Sequence, residues 1–271
     1  MKNKILVIIL LLCITSLTGC GNNLVSKEEQ ENIKIKYVGV ETIYFNPESS
    51  KKCTKEEYEN NINSENEYHY KGKATGIKTG CMKWNLYAKN SDNTAYLLLD
   101  HNTSAKIDWN STGDNSNIKE LKDRLKEDTK TWNSNLNVRI IKADEIAKIV
   151  GKEDFNSSVT PKEQYFYFDT LSTELTSVKK GTGFSWLYNN TSYCNGCLND
   201  AGTLCFKYDG TKDEDFRDCS ISGYWTDTPV HDTKNMAWIV GQGGVLRYDE
   251  VTSRAHYGVR PVITVKQSII K

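Results

Sequence analysis

The stretch that most constrains the fold is the last fifth of the chain, Gly223 to Val265. It holds four short apolar or aromatic runs: Gly223-Tyr224-Trp225-Thr226, Met236-Ala237-Trp238-Ile239-Val240, Gly243-Gly244-Val245-Leu246-Arg247-Tyr248 and Gly258-Val259-Arg260-Pro261-Val262-Ile263-Thr264-Val265. Clusters of Gly, Asp, Asn and Ser separate them. Short runs between such breakers predict strands joined by turns, here a small antiparallel sheet that closes a domain. Trp225, Trp238 and Val262 are expected in its core, with Arg260 a charge held by the fold beside the last strand. No run carries a catalytic grouping.

Upstream, alternation at Val38, Val40, Ile43 and Phe45 predicts a strand over Ile35 to Phe45. A hairpin follows: Met82, Trp84, Leu86 and Ala88 alternate with polar neighbours, Ser91-Asp92-Asn93 turns, and Tyr96 to Leu99 is an apolar strand buried on both faces. Asn117 with Glu120 three residues on predicts a capped helix whose buried stripe is Ile118, Leu121, Leu125 and Trp132, with Lys122, Arg124 and Lys126 pointing elsewhere. Val138 to Ile141 reads as a strand and Asp144 to Val150 as a second helix stopped by Gly151. Further strands are expected at Tyr165 to Phe168 and Phe184 to Tyr188, and a hairpin arm at Tyr68 to Lys78. The 38% hydrophobic content suffices for a core, and 35 basic against 35 acidic side chains give no electrostatic case for nucleic acid.

At the N-terminus Lys2 and Lys4 precede an apolar run, Ile5 to Ile14, that is short for a membrane span. Leu17-Thr18-Gly19-Cys20 then resembles the lipobox of bacterial lipoproteins. The resemblance implies cleavage before Cys20 and a diacylglycerol on its thiol. Residues 1–19 are thus expected to be a lipoprotein signal peptide, 20–34 a flexible tether, and the mature chain lipid-anchored on the extracytoplasmic face of the cell membrane, where disulfides persist.

The order of elements, with Cys81-Met82-Lys83-Trp84, Leu99-Asp100-His101-Asn102-Thr103, Ala143-Asp144-Glu145-Ile146 and the run from Tyr224-Trp225-Thr226 to Gly258-Val259-Arg260-Pro261-Val262, resembles an uncharacterised family of Gram-positive surface proteins and lipoproteins. That family looks like a branch of the C-type-lectin-like fold, which the formylglycine-generating enzymes share. The resemblance covers about Cys81 to Val265. It implies an α+β domain: a twisted antiparallel sheet flanked by two helices, with long disulfide-stapled loops. Residues 35–271 would form this single domain, with 35–79 as a small N-terminal β extension. No Cys follows Cys219, so the copper-dependent activity of the formylglycine-generating enzymes is not carried over. Neither a Glu-Pro-Asn nor a Gln-Pro-Asp loop occurs, so the sugar-binding calcium site is not carried over either.

Six cysteines besides Cys13 and Cys20 remain: Cys53, Cys81, Cys194, Cys197, Cys205 and Cys219. Three disulfides are expected, with Cys53–Cys81 favoured and the pairing of the other four open. Cys194-Asn195-Gly196-Cys197 also permits a redox pair, and with Cys205 and Cys219 a zinc site, but it lacks the strand-to-helix context of the first and the paired spacing of the second. Asp209 to Asp215 offers oxygen ligands without an EF-hand pattern, so a solvated turn is preferred to a calcium site. No cofactor, metal or catalytic residue is assigned. His69, His101, His231 and His256 are expected on surface loops.

The expected function is a binding module for a protein or glycan, with an extracytoplasmic enzyme or a structural envelope component as alternatives. The late segment supplies the candidate contacts: Tyr224, Asp227, His231, Asp232, Arg247, Tyr248, Asp249 and His256. Tyr188 and Tyr193 are further aromatic candidates.

Overall fold

The four runs of the last fifth divide between two sheets. The computed structural model describes residues 34–61, 77–104, 107–159, 165–169, 183–188, 223–241, 244–253 and 257–271, and Lys34–Lys271 forms one compact unit. The fold is α+β, with mostly antiparallel sheets and few helices.

The first sheet begins with β1 (Ile35–Asn46), which pairs with the short β2 (Lys51–Lys52) and with β3 (Met82–Asn90). The hairpin partner β4 (Thr94–Leu99) follows, its turn eased by Asn93 in the left-handed region at φ 64°. Next is not a sequence neighbour but β11 (Pro261–Lys266), and β5 (Asn137–Ile140) closes the order β2-β1-β3-β4-β11-β5. The second sheet contains β6 (Phe166–Tyr167), β7 (Gly223–Pro229), β8 (Met236–Gly241), β9 (Val245–Glu250) and β10 (Tyr257–Gly258), in the order β10-β7-β8-β9-β6.

The last apolar run therefore does not complete the terminal sheet, as its composition suggested. Val259 bridges to Ser104, the chain crosses, and Pro261 opens β11 inside the other sheet. Proline is tolerated there because the first residue of a strand can do without its N–H. Arg260 sits at the crossing, fully buried. It donates from Nε to the Leu99 carbonyl (2.6 Å), from Nη1 to that of Leu187 (2.7 Å) and from Nη2 to that of Trp186 (2.9 Å), and it lies 5.1 Å from the centre of the Tyr224 ring. Burial lowers its pKa.

Helix α1 (Lys119–Asp128) buries Leu121 and Leu125, as expected, but it ends before Trp132, which packs on Trp84 in another cluster and not on the helix stripe. Asn117 accepts the Lys119 N–H at 2.9 Å, but Glu120 turns to Ser111 instead of completing a capping box. In α2 (Ala143–Ile149) the Glu145 carboxylate reaches back to the Lys142 N–H at 3.0 Å, and Gly151 follows at φ 78°. A helical segment spans 55–61, and α3 (Gln267–Ile270) ends the chain. The run from Phe184 to Tyr188, expected to be a strand, instead forms a 3-10 turn at Ser185–Leu187, whose carbonyls receive Arg260. Among the described residues no helix is long and apolar enough to cross a membrane.

Three apolar clusters result. Trp84, Leu86, Leu97, Leu99 and Ile263 pack on one face of the first sheet. Its other face, with Tyr87, Leu98 and Val262, meets α2 and the Trp238 face of the second sheet. Trp225, Ile239, Tyr257 and Trp109 pack against α1 and Ile140. Trp225, Trp238 and Val262 are fully buried, as the sequence indicated. The favoured pair Cys53–Cys81 is a disulfide that ties the segment after β2 to the start of β3.

Candidate binding site

Helix α1 and its last turn present Lys122, Leu125, Lys126 and Thr129 at helical spacing, so the four share one stripe. Val138 and Ile140 alternate along β5 and share one face, and Leu136 directly precedes the strand. The two rows line a groove of about 350 Å³, completed by Arg139 and Asp227. Leu125 and Ile140 are buried at its floor, and Lys122 and Lys126 are exposed at its rim. Strand β5 ends its sheet, so among the described residues no strand pairs with its outer edge. Unpaired edges are surfaces on which another chain can add.

Asp227 reaches the rim from β7. Its N–H donates to the Ile141 carbonyl at 2.8 Å, and its carboxylate lies 3.9 Å from Lys122 Nζ. Partial burial raises its pKa above the ordinary carboxylate value, while Lys122, Lys142 and Arg139 pull it back. Behind the groove, Arg139 is locked. Glu145 accepts from both of its terminal nitrogens at 2.6 Å, Tyr87 Oη accepts from Nη2 at 3.0 Å, and the Tyr96 ring centre is 4.7 Å away. Burial works against this guanidinium, but Tyr87 and Glu145 outweigh it and its pKa moves up. Burial, then Glu145, pushes the neighbouring Tyr37 phenol up to about 12. With Arg139 matched by Glu145, the groove is edged by Lys122 and Lys126 against one carboxylate, Asp227.

No family model, curated protein or solved structure matches this chain. The site therefore rests on its own geometry.

Of the eight contacts expected from the late segment, Asp227 lies in the groove. Tyr224 does not qualify as a surface contact: it is fully buried against Arg260. Tyr188 is likewise buried, donating to Asp169 at 3.2 Å. Arg247 and Asp249 share one face of β9, where Tyr257 accepts from Arg247 Nη2 (2.9 Å) and donates to Asp249 Oδ2 (2.5 Å). Tyr248 points to the opposite face and packs on Trp238 at 5.5 Å, so β9 cannot present all three to one ligand. His231 and Asp232 form an exposed pair, 3.0 Å apart, at the β7–β8 turn. That turn is held by Asn115, whose side chain donates to the carbonyls of Val230, Thr233 and Met236.

His101, expected on the surface, is buried with Nε2 2.8 Å from the Ile77 carbonyl. Cys20, His69, Cys194, Cys197, Cys205, Cys219, Tyr193, His256 and the acidic run Asp209 to Asp215 lie outside the described residues. Among the described residues no group of three or more His, Cys, Asp or Glu is placed to hold a metal ion. A second depression, about 430 Å³, surrounds the disulfide and includes Lys51, Lys52, Glu57 and Asn61. Apart from the disulfide its lining is polar, whereas the α1–β5 groove has an apolar floor and is the better candidate.

Sequence reasoning missed Lys122, Lys126, Leu136 and Arg139 as site residues. The lysines' four-residue spacing was visible, but it marks a site only once β5 is known to be an edge.

Proposed function

We propose that this chain is a ligand-binding module, tethered by lipid on Cys20 to the outer face of a Gram-positive membrane, that takes a protein or glycan ligand in the groove between α1 and β5. The observation that carries the binding reading is the groove itself: an apolar floor, two lysines at the rim and an edge strand. The anchor is supported by Lys2, Lys4, the apolar run and Leu17-Thr18-Gly19-Cys20. A C-type-lectin-like fold belongs to the same proposal. Two helices after a hairpin, and a closing segment ending in Gly-Val-Arg-Pro-Val, support it.

The binding reading is tested by probing peptide and glycan arrays with the disulfide-intact protein and with Lys122→Glu/Lys126→Glu. A saturable hit that falls about tenfold or more in the double variant, or about 1.4 kcal/mol, is expected. Hits that ignore the charge reversal place the ligand elsewhere and reject the groove.

A further inference from the structure

We infer that the α1–β5 groove takes an acidic peptide in extended form, which joins the first sheet as an added strand on the open edge of β5. This rests on the binding-module reading and gives its ligand a chemical class.

The edge argues for a peptide. An edge strand offers N–H and C=O groups at alternate residues, a pattern matched by a second extended backbone and not by a sugar chain. The floor argues for extended form. Leu125, Leu136, Val138 and Ile140 line the groove beside that edge, and an added strand sends every second side chain, about 6.6 Å apart, to the same face.

The rim argues for acidity. Lys122 shares only the long 3.9 Å contact with Asp227, whereas Lys119 pairs with Asp123 and Lys130 with Glu127. Lys126 makes no ion pair among the described residues, Lys142 attracts only the Asp227 carboxylate that Lys122 already contacts, and Arg139 is matched by Glu145. The unmatched charge is positive, and it flanks the open edge. The four residues of β5 limit the added strand to a short segment, which suits reversible capture.

The test uses the full-length chain in detergent, with its disulfides intact, and four probes. These are a ten-residue peptide alternating Glu and Val, its Lys-Val counterpart, a Glu-Val peptide N-methylated at alternate residues, and a hyaluronan oligosaccharide as an acidic glycan. Affinity is read by calorimetry, and backbone contact by hydrogen exchange over residues 136–141. The Glu-Val peptide is expected to bind and to slow exchange there. Affinity should drop about tenfold or more with N-methylation, with the Lys-Val peptide and with Lys122→Glu/Lys126→Glu.

Equal binding of the N-methylated peptide overturns strand addition. Hyaluronan binding in place of the Glu-Val peptide, lost on charge reversal, overturns the peptide class while the binding module stands. If no probe binds and the arrays also give no groove-dependent hit, both readings fall.

Discussion

Arg260 donates to carbonyls on two separate segments, Leu99 at the end of β4 and Trp186 and Leu187 in the 3-10 turn, at the point where the chain changes sheets. Arg260→Met would take the guanidinium donors from two buried carbonyls, those of Leu99 and Leu187, and from the half-buried carbonyl of Trp186. At about 1–3 kcal/mol for each buried group, a loss of at least about 2 kcal/mol is expected, measured by urea denaturation. Arg260→Lys keeps the charge but not the fork, and should lose a large part of the same stability. Asp227 carries a pH prediction. Burial raises its folded pKa above the unfolded 3.8, so its ionised form weighs against the fold. That cost is present above the folded pKa and vanishes as pH falls below the unfolded value. Asp227→Asn should therefore be more stable than wild type at pH 7 and indistinguishable from it near pH 3, by denaturation at both. At this scale the sequence was partly readable. Arg260, wedged in an apolar run, reads as a structural charge, whereas Tyr224 in the same kind of run reads equally as a surface contact, because a tyrosine's hydropathy does not say which face it occupies.

Elements were read best where periodicity was long. The β3–β4 hairpin, α1 and α2 follow their apolar spacing closely. The failures are physical. Phe184 to Tyr188 is aromatic enough for a strand, but its backbone turns to offer carbonyls to Arg260, a demand set from 73 and 74 residues away in sequence. The edge position of β5 is invisible locally, because β11 is recruited from the far end of the chain to separate it from β4. That one insertion makes the candidate groove. The disulfide is an element-scale staple. Its cysteines are 28 residues apart, and removing a loop constraint of that size costs about 3–4 kcal/mol in the chain-entropy treatment. Cys53→Ala/Cys81→Ala is expected to lose about that much in urea, with the groove lysines still functional wherever the protein remains folded.

At the scale of the whole molecule, two sheets share the core across α2, while α1 leans on the seam between β5 and β7. The groove is therefore held by both sheets, and a ligand seated there would meet a rigid wall braced by Arg139 and Glu145. The anchor belongs to this scale too. Cys20→Ser is expected to abolish lipid labelling and to shift the protein out of the membrane fraction, measured by radiolabelled palmitate and fractionation. Retained labelling would count against the lipobox. The measurement that tests the central proposal most directly is a lysine footprint. Acetylation rates of individual lysines are compared by mass spectrometry with and without the strongest array ligand. Protection of Lys122 and Lys126, with Lys119, Lys130 and Lys148 unchanged, is the expected result. Protection at Lys51 and Lys52 beside the disulfide, or at none of the groove lysines, would contradict it.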